Sequence, residues 1–150
     1  MANWHIGEIL IQKRLIDWEQ LNEALSEQKL TRESVGEILV RKQRIPRFLL
    51  YKALAERHAM PFADLSRTHI DEAAIHRVPQ SIAQKYGIIP IEIRGRTLVI
   101  GIGDPTAVIP RDEIASLAKM NSIHTVLCTP EAVRIATAAH YGKTTLEAES

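Results

Sequence analysis

Apolar residues in the first sixty positions recur with helical spacing, and the whole pattern occurs twice. Ile6, Ile9 and Leu10 share one helical face, and Leu21, Ala24, Leu25 and Gln28 share a face of the helix that follows. After a shift of 29 residues, His5-Ile6-Gly7-Glu8-Ile9-Leu10 returns as Ser34-Val35-Gly36-Glu37-Ile38-Leu39. Lys13, Ile16, Leu21, Ala24, Leu25 and Glu27 return as Lys42, Ile45, Leu50, Ala53, Leu54 and Glu56. Asp17 with Gln20 makes a capping box for the second helix, Ser34 can cap the third, and Pro46 suits the first turn of the fourth. Each repeat therefore predicts a helix-turn-helix hairpin, and a duplicated unit builds one pseudo-symmetric surface. Gly7 and Gly36 lie in the first turn of their helices, where alanine would be about 1 kcal/mol better. A glycine repeated at that cost predicts something approaching the backbone closely.

From Met60 the pattern changes. Pro61-Phe62-Ala63-Asp64-Leu65 reads as an extended linker, and short helices are expected over 71–78 and 79–85, the latter stopped by Gly87. The β-branched runs 88–93 and 97–102 flank Arg94-Gly95-Arg96 and predict a hairpin. A helix over 111–120, a strand over 124–128 and a helix from Thr129-Pro130 to about His140 complete the pattern. The fold class expected is α+β. A helical bundle of two tandem repeats (1–59) precedes a small α/β subdomain with a three-stranded sheet (60–142) and a flexible tail or linker (143–150).

Composition narrows the function without naming it. The 150 residues carry 19 Lys and Arg against 18 Asp and Glu, so no global charge draws the chain to nucleic acid or membrane. The single cysteine, Cys128, excludes an internal disulfide and suits the cytosol. No apolar run approaches the roughly 20 residues of a membrane span, and residues 1–20 do not read as a signal peptide. The polar end suggests a piece of something longer. There is no phosphate-cradling Gly-x-x-x-x-Gly-Lys-Ser/Thr loop, and Gly101-Ile102-Gly103 lacks the third glycine of a dinucleotide fingerprint, so it reads as a bulge or turn after a strand. The histidines show no zinc spacing, Cys128 sits in an apolar strand as an inert thiol, and no Ser/His/Asp grouping stands out. Neither a metal nor catalysis is expected within these residues. A basic cluster remains: Lys13, Arg14, Arg41, Lys42, Arg44 and Arg47. It reads either as a solvated face or as an attraction for a phosphate-bearing ligand or acidic partner. DNA is not expected, because neither second helix presents a row of Arg, Asn or Gln for base edges.

The doubled segment resembles the N-terminal, MshEN-type domain of type II secretion and type IV pilus assembly ATPases. The family pattern opens Arg-Leu-Gly and continues with Leu, Ile, two Leu one helical turn apart and Gln. Here its glycines are Gly7 and Gly36, its first leucines Leu10 and Leu39, and its isoleucines Ile16 and Ile45. The paired leucines are Leu21 with Leu25 and Leu50 with Leu54. Met60-Pro61-Phe62-Ala63-Asp64-Leu65, the strand at Pro90, Asp104-Pro105 and Tyr141-Gly142 extend the resemblance to about residue 142. The polar positions depart from the pattern. The opening Arg is His5 and Ser34, the next residue Ile6 and Val35, the mid-motif Gly is Arg14 and Gln43, and the closing Gln is Gln28 and Arg57.

The resemblance implies a non-catalytic regulatory or docking domain, and cyclic di-GMP as candidate ligand with no cofactor required. By that resemblance the ligand would lie across His5, Ile6, Gly7, Leu10, Arg14, Leu21, Leu25 and Gln28. From the second repeat it would meet Ser34, Val35, Gly36, Leu39, Leu50, Leu54 and Arg57. Apolar stripes would carry the guanines, glycines would open the backbone, and a guanidinium would hold guanine O6 and N7. Each bidentate Arg–guanine contact that is missing weakens binding by about 1–3 kcal/mol. Two alternatives stand beside this. One is a docking domain that holds the rest of a parent ATPase to an inner-membrane platform protein, with the stripes serving as core; the other is the same module joined to a membrane glycosyltransferase. The location implied is the cytoplasm, reached at the inner membrane through a partner.

Overall fold

Two helical repeats, each too short to bury its own apolar face, solve the problem by interlocking. The computed structural model describes the backbone from Ala2 to Glu149 and the side chains of residues 6–142, and the chain divides into two compact units, Met1–Ala59 and Met60–Ser150. The first unit holds α1 (Ala2–Gln12), α2 (Trp18–Thr31), α3 (Val35–Arg41) and α4 (Arg47–Arg57). Helix α1 packs on α3 and α4, and α2 packs on α3. The two hairpins thus form the expected helical bundle, and they interleave because stacking across repeats creates the continuous core that a single repeat lacks. That core is Ile6, Leu10, Ile16, Leu21 and Ala24 with Val35, Ile38, Leu39, Ile45, Leu50 and Ala53.

The ends of these helices follow their local sequence. Asp17 accepts from the Gln20 N–H at 2.8 Å while the Gln20 side chain accepts from the Asp17 N–H at 3.1 Å, which completes the capping box. Ser34 Oγ accepts from the Glu37 N–H at 3.2 Å. Pro46 takes the N-cap position of α4, one residue before the expected first turn, at φ −65° and ψ 144°. Helices α1 and α3 both close through left-handed residues, Arg14 at φ 59° and Gln43 at φ 60°. In each case the next N–H reaches back across the last turn, Leu15 to the Leu10 carbonyl at 2.9 Å and Arg44 to the Leu39 carbonyl at 2.8 Å.

The second unit is a mixed three-stranded sheet, ordered β1-β2-β3, with helices around it. It runs α5 (Glu72–Ile75), α6 (Gln80–Tyr86), β1 (Ile88–Arg94), β2 (Thr97–Ile102), α7 (Arg111–Leu117), β3 (Ser122–Leu127) and α8 (Pro130–Glu149). Strands β1 and β2 form the expected hairpin, with Arg94 opposite Thr97 and Gly95 turning at φ 60°. Strand β3 runs parallel to β2 through the α7 crossover. The segment expected as a linker is not free. Pro61 O accepts from the Leu127 N–H at 2.8 Å and the Ala63 N–H donates to Leu127 O at 2.9 Å, so it satisfies the outer edge of β3. The expected stop near His140 is also corrected. Helix α8 continues through Gly142 to Glu149, since one internal glycine costs about 1 kcal/mol and the residues after it include no proline. Residues 143–149 are therefore helical, and Ser150 lies outside the described residues. Tyr141 locks this helix down: its buried hydroxyl donates to Val78 O at 2.8 Å, and burial pushes the phenol pKa up.

Candidate functional site

The repeated glycines each make room for a leucine side chain. A Cβ on Gly7 would stand 2.7 Å from Leu21 Cδ1, and one on Gly36 would stand 2.8 and 2.9 Å from the two Leu50 methyls. The approach that these glycines permit is that of the leucine one helix on, which accounts for both glycines through packing. Most of the apolar set shares this fate. Ile6, Leu10, Leu21, Val35, Leu39 and Leu50 are all at or below 3% exposure, so they hold the bundle together and offer no surface. Leu25, Gln28, Leu54 and Arg57 are half-buried, Arg14 and Ser34 are exposed, and the His5 side chain lies outside the described residues. The surface left to a ligand is therefore the second helix of each repeat near its end, together with the turns.

The basic cluster is largely paired. Lys13 meets Glu56 at 2.6 Å, and Lys42, its counterpart, meets Glu27 at 3.1 Å and Glu23 at 2.8 Å. Arg41 bonds Glu27 and Glu33, both at 2.9 Å, Arg44 approaches Glu23 at 3.5 Å, and Arg47 meets Glu37 at 3.0 Å. Donation from Lys42 holds the Glu23 carboxyl below the usual range, and donation from Arg41 does the same for Glu27. The solvated-face reading of these cations accordingly prevails over the phosphate-attracting one. Arg14 and Arg57 make no ion pair among the described residues. The acidic partners escape a search for basic motifs, yet the signal is present in the repeat: Glu27 and Lys13 recur as Glu56 and Lys42, and each glutamate pairs with the lysine of the other repeat.

Gly101 pairs within β2, where a Cβ would meet Cys128 Sγ at 2.8 Å, and a Cβ on Gly103 would stand 2.9 Å from Pro130 Cα. The Gly-x-Gly expected as a bulge or turn is a packing device in the strand and its exit. Burial pushes the Cys128 thiol up to about 12, far from the thiolate that a nucleophile needs. No metal-holding cluster of His, Cys, Asp and Glu occurs among the described residues, and none of their helices is long and apolar enough to cross a membrane.

Residues 58–146 match the model of the MshEN domain family. The type IV pilus assembly ATPase PilB of Myxococcus xanthus is 27% identical over 138 residues, which is 92% of this chain and 24% of that protein. PilB of Thermus thermophilus is 38% identical over 101 residues, 67% of this chain and 11% of that protein. The chain thus spans about a quarter or less of these relatives. The solved structure of MshE with cyclic di-GMP has the same fold, with a TM-score of 0.74 at 24% identity, covering 91% of this chain and 98% of that one. Such coverage exceeds the second unit alone and takes in the twin repeats.

Proposed function

This chain belongs to the MshEN domain family, and we propose that it is a non-catalytic regulatory domain of a pilus or secretion assembly ATPase whose twin repeats receive cyclic di-GMP. The observation that carries the reading is the likeness in fold, across both units, to a chain solved with that ligand. The contacts are made by the residues that packing leaves accessible. Half-buried Leu25 and Leu54 lie under the guanines, Arg57 or Arg14 donates to O6 and N7, and Gln28 and Ser34 add single hydrogen bonds. ATP hydrolysis belongs to other parts of the parent protein, which works in the cytoplasm at the inner membrane.

Titration of this chain with cyclic di-GMP by calorimetry and NMR tests the proposal. Saturable binding is expected, weakened about tenfold by Arg57→Ala, a loss of about 1.4 kcal/mol, and removed by Leu25→Asp with Leu54→Asp. Absence of both heat and chemical-shift change at about 100 times a micromolar dissociation constant discards it. A second reading is favoured by the buried stripes and the paired basic cluster: the first unit is scaffold, and the domain docks the ATPase to an inner-membrane platform protein. Failure of that protein's cytoplasmic part to co-purify with the chain counts against it.

A further inference from the structure

The second unit carries a groove of about 510 Å³ between the segment 65–72 and the outer face of α8, within the range of about 300–1,000 Å³ typical of binding pockets. One wall is a loop fixed by its own hydrogen bonds. The Asp64 carboxylate accepts from Ser66 N–H at 3.0 Å and Ser66 Oγ at 2.6 Å, and Thr68 Oγ1 donates to the Asp64 carbonyl at 2.7 Å. That loop sets Leu65 and Ile70 into the groove. The other wall is a single helical face, with Ala132, Ile135, Ala136 and His140 at spacings of three, four and eight residues. The two alanines allow an incoming element to approach the helix closely, and Ile135 stands 62% exposed at the rim. At one end His140 Nδ1 lies 2.7 Å from Glu72 Oε1.

Charge decides what fits. Glu72 is the only carboxylate in the lining, and the lining contains no Lys or Arg. A phosphate-bearing ligand would meet a carboxylate and no Lys or Arg to hold it, so this groove is unsuited to a nucleotide. An apolar trough along a helix, carrying one carboxylate, suits an apolar anchor flanked by a cation. We propose that this groove docks an amphipathic helix of a partner protein, with a Leu or Phe between Ile135 and Ile70 and a Lys or Arg beside Glu72. The inference concerns the second unit alone and stands apart from ligand binding by the twin repeats.

The test uses the whole chain, isotope-labelled, and two synthetic 14-residue helical peptides: one with Leu on one face and Lys on the other, and one with Glu replacing every Lys. The Leu/Lys peptide is expected to give saturable chemical-shift changes confined to 65–72 and 132–140, at least tenfold tighter than the Leu/Glu peptide. Ile135→Ser, at an exposed position that the fold does not need, weakens it about tenfold, and Glu72→Gln about fivefold. The proposal is overturned by shifts that are absent, that fall on the twin repeats, or that survive Ile135→Ser, and equally by equal affinity for the two peptides. Both variants keep the wild-type response to cyclic di-GMP, so the two proposals fail separately.

Discussion

The two repeats of the first unit share a backbone and differ in their chemistry. Each sets a leucine methyl under 3 Å from where a glycine Cβ would be, at 2.7 Å in the first and 2.8 Å in the second. Each closes its first helix through a left-handed residue and the same backbone bond across the last turn. Their polar shells diverge. Lys13 at the end of α1 meets one exposed glutamate, whereas Arg41, Lys42 and Arg44 around the end of α3 meet three. The difference teaches where duplication is constrained. Packing tolerates no drift at Gly7, Leu21, Gly36 or Leu50, while a solvated ion pair contributes little and can be rebuilt freely.

The strongest way to break this comparison is to relax the packing on one side only. Leu21→Ala and Leu50→Ala should each destabilise the unit by about 2–5 kcal/mol, read by denaturant melts. Gly36→Ala should be worse tolerated than Gly7→Ala, because two Leu50 methyls stand within 3.0 Å of the added Cβ against one of Leu21. In a Leu50→Ala background the order inverts: Gly36→Ala becomes neutral or gains up to about 1 kcal/mol from helix propensity. Effects that simply add, within about 0.5 kcal/mol, would show that the glycine is not kept for the leucine.

This coupling explains what was legible beforehand. Helical spacing and the 29-residue echo located the four helices, and β-branched runs located β1 and β2, because local patterning dictates these elements. The echo marked Gly7 and Gly36 as special without saying what approaches them, since a leucine methyl and a ligand leave the same glycine in the sequence. The bond between Pro61 and Leu127, and the groove joining Ile70 to Ile135, span some sixty residues and have no local signature. Lys119, which ends α7 at φ 59°, passed unmarked because a lysine does not announce a left-handed turn.

A smaller effect sharpens the polar side of the comparison. Glu23 and Glu27 have their pKa values lowered in the fold, by donation from Lys42 and Arg41 respectively. Groups of this kind contribute stability that is present above the unfolded value of about 4.5 and is lost as pH falls through the lower folded one. Lys42, raised chiefly by its bond to Glu23, contributes below 10.5 and loses that contribution as pH rises through its folded value. Lys42→Met should therefore lower the melting temperature at pH 7 more than Lys13→Met does. The gap should close at pH 3 and shrink in high salt. A gap that persists at pH 3 would assign the lysine's effect to its packed stem instead of its charge.

The smallest expected effect returns to the shared backbone. Arg14 and Gln43 hold φ near 60°, a region that costs non-glycine residues roughly 1–2 kcal/mol. Glycine removes that strain but frees the unfolded chain by about 0.4–1 kcal/mol. Arg14→Gly and Gln43→Gly should each raise stability by a few tenths to about 1 kcal/mol, and by equal amounts, because the two turns close with the same geometry. Calorimetric melts of the two single variants and the double variant measure this. Unequal gains would mean that one turn carries an interaction beyond the shared backbone bond. The Arg14 guanidinium, exposed and without an ion pair among the described residues, offers a ligand a charge that Gln43 does not. A gain at Gln43 beside a loss of cyclic di-GMP affinity at Arg14 would therefore separate the part of the repeat kept for folding from the part kept for binding.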